Sequence, residues 1–508
     1  MRVWLSEEFA RHWQEQDVFE AAQALRGDVF REVKGRRTLR FELGGKSWFI
    51  KHHQGVGWGE IVKNLISLRL PILGARNEWL AINALTELGV PTMTAAAFAE
   101  RGWNPARRES FLVTAELKPV KSLEEVCANW ATERPAFVFK HQLLLELARM
   151  ARLMHSNGIC HRDFYLCHFL MHTGEHGQMA SNPVPHLSLI DLHRALIKPA
   201  FMQRWIKKDI AGLYFSARDI GLTRTDLYRF IKAYSGKPLR EALSQQAAFW
   251  AAMQTMADKV WRRDLRKNDV RLRKRVLQAS DQVLRLQSWS QLVLINRNQW
   301  QPAMQALVDN PDQMMSTGTM LKDGDSTTVV RVDVDGCALV VKRYNLKSAA
   351  YALSRLLRPS RAWHCWASAF RLQQAGIKTP APVVMIEKRW GPLRRQAYFV
   401  SVHEQGQDVL NLLKNEQQGS VQWNTVMSLF DELFRRLRQH RLIHGDMKAT
   451  NFIVSHPEAA DVTLQVLDLD ATRPEFNEAR FAKYHQRDHT RFNANWQRQA
   501  PKQAHDKQ

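Results

Sequence analysis

Two periodicities alternate along the chain. Arg31–Leu43 (REVKGRRTLRFEL) and Lys46–His53 (KSWFIKHH) alternate apolar and polar residues on either side of Gly44-Gly45, which predicts a β-hairpin. Helical spacing follows in Gly74–Val90 (GARNEWLAINALTELGV) and in Phe139–Gly158 (FKHQLLLELARMARLMHSNG), where Gly158 supplies the stop. After a loop, GICHRDFYLCHFL, comes HLSLIDLHRA, a short apolar strand carrying Asp191, and from Met202 the pattern is mostly helical. Thr327–Lys347 (TTVVRVDVDGCALVVKRYNLK) returns to period two, with an Asp-Gly turn between two strands. Between these halves, WRRDLRKNDVRLRKRVLQASDQVLRLQ has loose helical spacing through Leu265, Val270, Leu272, Val276 and Leu277.

A small sheet with one helix, then a helical region with a His-Arg-Asp loop and an aspartate on the next strand, is the order of parts in a protein kinase-like fold. The chemistry explains the order, because phosphoryl transfer needs positioning and charge neutralisation. Lys51 ends the second hairpin strand, where a lysine holds nucleotide phosphates. Glu78, on the following helix, is placed to pair with it. Asp163 in the loop is the expected catalytic base, and Asp191 the expected Mg²⁺ ligand. The intervals are 112 residues from Lys51 to Asp163 and 28 from Asp163 to Asp191. Two usual features are missing: no GxGxxG precedes Lys51, where EVKGRRT has only Gly35, and His168 stands where most protein kinases carry a metal-binding asparagine.

The stretches FREVKGRRTLRFEL, GVGWGEIVKNL, LRLPILGARNEW, GICHRDFYLCHFL and LIDLHRA closely resemble the heptose(I) kinases of the lipopolysaccharide core, the WaaP/RfaP family, over roughly residues 1–265. The resemblance implies ATP- and Mg²⁺-dependent phosphorylation of the first heptose of the inner core. It implies Asp163 as base, Lys51 as phosphate-binding lysine and Asp191 as metal ligand. The histidine at the His168 position belongs to the family pattern and joins the expected metal set. Asp209 in KKDIAGLYFSA matches the aspartate that braces the catalytic loop of such folds. His161 and Arg162 have packing and buttressing readings. The resemblance also implies an acyl carrier protein as a partner, which nothing in the residues carries.

The second half repeats the plan. Lys342 ends a strand, RLIHGDMKATNFIV supplies Asp446 as expected base and Asn451 as metal ligand, and VLDLDA supplies Asp468 as a second metal ligand. Lys448 is placed to reach the transferring phosphoryl group, and Asp488 is the counterpart of Asp209. This half resembles more loosely the Kdo kinases and InaA-type proteins. Aligning AGIKTP with LGVPT gives an offset of 287, which sets Cys365 opposite Glu78, and RAWHCWASAFRLQQAG contains no acid. Lys342 then takes another acid, works unpaired, or sits in a catalytically weak domain.

The expected architecture is therefore α+β, with two tandem kinase-like domains, each a small antiparallel-sheet N-lobe and a mainly helical C-lobe. The expected boundaries are a heptose(I) kinase-like domain over 1–265, a basic helical linker over 266–317, a second kinase-like domain with a short C-lobe over 318–496, and a polar tail over 497–508. Activity on another core sugar is the leading reading of the second domain, with a pseudokinase scaffold or regulator as alternative. Protein (tyrosine) kinase activity is a further alternative for the chain, although no APE-like segment follows Asp191.

Charge adds a partner class. Lys plus Arg exceed Asp plus Glu by 73 − 50 = 23 in 508 residues, which fits an anionic membrane surface or a phosphorylated substrate. A solvated basic surface is the plainer reading. No nucleic-acid recognition motif accompanies the charge. The basic run from Arg262 reads either as a solvated inter-domain helix or as a stripe on anionic head groups. The five cysteines form no CxxC pair, which fits a reducing compartment, and Cys160 and Cys167 read as small buried hydrophobes. MRVWLSEEFARHW has no apolar signal core, and no stretch reaches the roughly 20 apolar residues of a membrane span. The expectation is a cytoplasmic protein, peripheral at the cytosolic face of the inner membrane.

Overall fold

A computed structural model describes residues 1–33, 35–66, 74–174, 185–345, 359–414, 416–455 and 462–497. The LRLPIL part of one quoted motif and the tail from residue 498 lie outside them. The chain divides into two compact units, Met1–Trp261 and Arg262–Gln508.

The first unit opens with a six-stranded sheet in the order Arg2–Leu5, Ala95–Arg101, Glu109–Ala115, Lys46–His53, Arg36–Leu43, Asp28–Val33. Gly44 and Gly45 have φ of +61° and +70°, the left-handed pair that a two-residue hairpin turn requires. The predicted strand Arg31–Leu43 is in fact two strands, because the chain turns back at Gly35 (φ +80°). Alternation puts Leu39, Phe41, Trp48 and Ile50 into one core with Phe9, Phe19 and Phe111. The helix Arg76–Glu87 buries Glu78, Ala81, Ile82 and Leu85. A helical region follows, led by Phe137–Ser156, whose Leu143, Leu147, Met150 and Met154 recur at helical spacing on its buried face. The strand predicted to carry Asp191 ends at Leu189, and Asp191 lies just beyond it in left-handed conformation (φ +62°).

The second unit has a seven-stranded sheet in the order Val283–Gln287, Gln291–Asn296, Pro382–Trp390, Leu393–Val402, Cys337–Tyr344, Thr327–Val334, Thr319–Gly324. Its last four strands repeat the arrangement of the first sheet: the lysine strand is flanked by its hairpin partner and by a later antiparallel strand. Two strands of this sheet fall inside the predicted linker 266–317. The basic run dominated the reading there, while the apolar LVLIN of the Gln291–Asn296 strand belongs to the core, with Leu292, Val293, Leu294 and Ile295 buried. The helical part is short, built on Val421–Gln439 and Glu478–Gln497. Trp496, the last residue of the expected second domain, is buried and packs edge-on against Trp423 at 5.2 Å.

The helix Ala247–Leu277 carries the chain across the boundary. Leu272, Val276 and Leu277 enter the second unit's core, but Val270 is 59% exposed and leaves the expected apolar stripe. Arg262 is paired with Glu478 at 2.8 Å, and Arg266 lies over the Phe476 ring at 5.7 Å. Arg263, Lys267, Arg271, Arg273 and Lys274 remain exposed.

Candidate active sites

In the first unit the alternation that buries Ile50 turns Lys51 toward the helix Arg76–Glu87. Its Nζ lies 2.5 Å from Glu78 Oε1 and 3.9 Å from Asp191 Oδ1. Glu78 is 1% exposed and Lys51 16%, so the pair is largely withdrawn from water. Burial of such a pair holds only while both charges stay.

The loop that carries Asp163 is pinned from below. His161 is fully buried, and its Nε2 lies 2.9 Å from the Ile190 carbonyl. Arg162 adopts φ +73°, and its guanidinium sits 4.9 Å from the Trp205 ring centre. Asp209, fully buried on the helix Met202–Ser216, accepts the backbone N–H of His161 at 2.6 Å and of Arg162 at 2.7 Å. The bracing role expected of Asp209 is therefore visible as two charge-assisted hydrogen bonds.

Above this brace, both Asp163 carboxylate oxygens face Arg194 Nη1, at 2.9 and 2.8 Å. His168 Nδ1 lies 2.6 Å from the Asp163 carbonyl oxygen, and its Nε2 lies 3.7 Å from Asp191 Oδ2. Burial works against charge on His168, but its bonds to Cys167 and to the Asp163 carbonyl, with the Asp191 carboxylate nearby, push it up to about 9. Burial likewise works against charge on Asp191; the bond from His193 at 2.6 Å and the charges of Lys51 and His168 outweigh it and hold the carboxyl well below its usual range. Lys51, His168 and His193 thus converge on the Asp191 carboxylate. The donor set fits Mg²⁺ through the Asp191 oxygens; imidazole is the softer ligand, so His168 is the less suited member of the expected metal set.

In the second unit Asp488 accepts the N–H groups of His444 at 3.0 Å and Gly445 at 3.1 Å, as Asp209 does in the first. Gly445 takes φ +84° where Arg162 takes +73°, and a Cβ on it would come within 2.8 Å of the Ala471 Cβ. Asn451 Nδ2 donates to the Asp446 carbonyl at 2.9 Å, the position His168 Nδ1 takes beside Asp163, and this leaves the Asn451 amide oxygen available to a cation. Lys448 Nζ lies 3.4 Å from Asp446, and Arg491 Nη2 lies 3.8 Å from it. Lys342 Nζ contacts Asp468 Oδ1 at 2.8 Å and Asp470 Oδ2 at 3.0 Å. Cys365, opposite Glu78 by sequence, lies 2.8 Å from the same Asp470. The oxygens of Asn451 and Asp468 are a donor set that suits Mg²⁺.

Each unit thus gathers its sequence-expected residues into one site: Lys51, Glu78, Asp163, His168 and Asp191 in the first; Lys342, Asp446, Lys448, Asn451 and Asp468 in the second. Sequence reasoning missed three residues. Arg194 clamps the expected base. Asn77 fastens the Asp191 turn by donating to the His193 and Ala195 carbonyls at 2.9 and 2.8 Å. Asp470 is the acid that the helix lacks; its signal was the second aspartate of VLDLDA. Cys160 is buried as expected, with its thiol pushed up to about 12 by burial, whereas Cys167 is only half-buried.

A family model described as "Lipopolysaccharide kinase (Kdo/WaaP) family" matches residues 20–234 and again residues 324–505. The lipopolysaccharide core heptose(I) kinase WaaP of Pseudomonas aeruginosa is 50% identical over 270 residues, which is 53% of this chain and 100% of the relative. The protein of the same name from Escherichia coli K12 is 46% identical over 268 residues, 52% of this chain and 99% of the relative. A solved structure, "WaaP in complex with acyl carrier protein", is 46% identical, covers 51% of this chain and 99% of its own, and has a TM-score of 0.45.

Proposed function

This chain belongs to the lipopolysaccharide kinase (Kdo/WaaP) family, and on that premise we propose that its first unit transfers a phosphoryl group from ATP to a hydroxyl of the first heptose of the lipopolysaccharide inner core. The identity to WaaP heptose(I) kinases over their full length supports the acceptor. The observation that carries the reaction class is the contact chain from Glu78 through Lys51 to Asp191 and through His168 to Asp163.

Lys51, held by Glu78, neutralises phosphate oxygens of the nucleotide. Asp163 takes the proton of the acceptor hydroxyl as its oxygen bonds to phosphorus and the bond to the ADP oxygen breaks. In this structure Arg194 occupies the carboxylate that the hydroxyl must reach, so acceptor binding redirects that contact. Asp191 would hold Mg²⁺, which supplies charge neutralisation when bound. Asp209 keeps the loop in place and touches no reacting atom.

The second unit has the same reaction class, on another sugar of the core, with Asp446 as base, Asn451 and Asp468 for Mg²⁺, and Lys342 and Lys448 on the phosphates. The site of action is the cytosolic face of the inner membrane; among the described residues no helix is long and apolar enough to cross a membrane. The exposed cations of Arg263–Lys274 are the proposed contact with anionic lipid. An acyl carrier protein is the proposed partner of the first unit, which is 46% identical to the WaaP so complexed. The test is incubation with labelled ATP and either dephosphorylated core oligosaccharide or a generic protein. Label in the oligosaccharide is expected; label only in the protein would replace this reading with a protein kinase.

A further inference from the structure

Resting on the reading of the second unit as a phosphotransferase, we infer that Asp470 replaces the missing helix glutamate as the positioning residue for Lys342. The helix Arg361–Gln374 offers no acid, and Cys365 stands at the position of Glu78. The acid comes instead from the turn that carries Asp468.

The arrangement around Asp470 is specific. Its Oδ1 accepts from the Tyr344 hydroxyl at 2.7 Å and lies 2.8 Å from the Cys365 sulfur. Its Oδ2 accepts from Lys342 Nζ at 3.0 Å and from the Arg361 guanidinium. A carboxylate has about four acceptor positions, so all are taken, and none is left for a metal ion. Asp468 is different: its side chain is 36% exposed, against 16% for Asp470, and among the described residues Lys342 is its ion-pair partner, on Oδ1. The two aspartates of VLDLDA therefore divide the work. Asp468 faces the nucleotide side, and Asp470 holds the lysine.

The connections are also those a helix glutamate makes. Glu78 ties the helix Arg76–Glu87 to the lysine strand. Asp470 ties Lys342 and Tyr344 of the strand Cys337–Tyr344 to Arg361 and Cys365 of the helix Arg361–Gln374. The same two elements are joined, with the carboxylate supplied from a third. Cys365 is small enough to leave room for it, where a glutamate side chain would occupy the space. A buried lysine with a fully bonded carboxylate is costly to build where no phosphate needs it, since an apolar pair would serve packing as well.

An acyl-phosphate derivative of ATP, which acylates lysines beside nucleotide phosphates, tests this in the full chain, because peptide masses separate Lys342 from Lys51. Wild type is expected to be labelled at both, with Mg-ATP protecting both. Asp470→Asn should raise the Mg-ATP concentration that half-protects Lys342 by about tenfold, the loss of one charged hydrogen bond, and leave Lys51 unchanged. Combining Cys365→Glu with Asp470→Ala, which vacates that space, should recover most of the protection lost in Asp470→Ala alone, because the acid returns to the helix. Unchanged protection of Lys342 in Asp470→Asn would overturn the inference while keeping the site. If Mg-ATP fails to protect Lys342 in wild type, the phosphotransferase reading of the second unit falls, and the inference with it. Should Asp470→Asn melt early, the double variant decides: recovered protection supports the inference, and none overturns it.

Discussion

The Asp209 carboxylate accepts the backbone N–H of His161 at 2.6 Å, and with it the loop bearing Asp163 is fixed from the helix below. Asp488 does the same for His444 at 3.0 Å in the second unit. Replacing Asp209 with Asn puts an amide where two backbone donors require an acceptor. Asp209→Asn is expected to cost about 3 kcal/mol, read as a fall of roughly 6–12 °C in the melting of the first unit. Calorimetry of the full chain checks this, and an unchanged melting temperature would remove the bracing role.

Asp163 behaves differently, because it is a loop carboxylate whose partner, Arg194, is 36% exposed. Asp163→Ala should abolish heptose phosphorylation with little change in melting. A variant that kept a substantial fraction of turnover would show that another group takes the hydroxyl proton.

What the sequence made legible was mostly local. Asp163, Asp191, Asp446 and Asp468 lie in short motifs whose spacing and flanking apolar runs name their place, and the offset of 287 set Cys365 at the right position. The partner of Lys342 was not legible, because it comes from a different element than in the first unit, and only the folded chain brings Asp470 to 3.0 Å. Arg194 escaped for a similar reason, lying 31 residues from the Asp163 that it clamps. The strands inside the supposed linker were missed because charge drew attention away from the alternation of Val283–Gln287 and Gln291–Asn296.

The Lys51–Glu78 pair is expected to couple. Lys51→Met alone leaves a carboxylate buried and unpaired and should cost about 3–5 kcal/mol. Adding Glu78→Gln removes that charge and should return part of the loss, although neither variant should phosphorylate heptose. Chemical denaturation of the two variants measures the difference; equal costs would mean the pair is not buried as described.

His53 gives a pH dependence. Burial above all, and then the charges of Arg36 and Lys51, lower it to about 3 from an unfolded value of 6.5. The unfolded chain therefore binds the proton first, so the stability is complete above pH 6.5 and is lost as pH falls toward about 3. Between pH 7 and pH 5 the contribution is about 2 kcal/mol. The fall in the first unit's melting over this range should shrink in His53→Leu; an equal fall in both proteins would assign it to other groups.

Binding to anionic vesicles should weaken steeply from low to physiological salt, since each cation near the surface adds about 1 kcal/mol that is screened over roughly 8–10 Å. Neutralising Arg263, Lys267, Arg271, Arg273 and Lys274 together should weaken it further. Equal binding to neutral and anionic vesicles would leave these residues as a solvated helix face.

Mass spectrometry of core oligosaccharide from strains expressing Asp163→Ala or Asp446→Ala tests the two-site phosphotransferase account most directly. The Asp163→Ala core is expected to lack the phosphate of the first heptose. The Asp446→Ala core is expected to keep that phosphate and to lack another. An Asp163→Ala core with the parent's mass, from cells that accumulate the variant normally, would contradict the account.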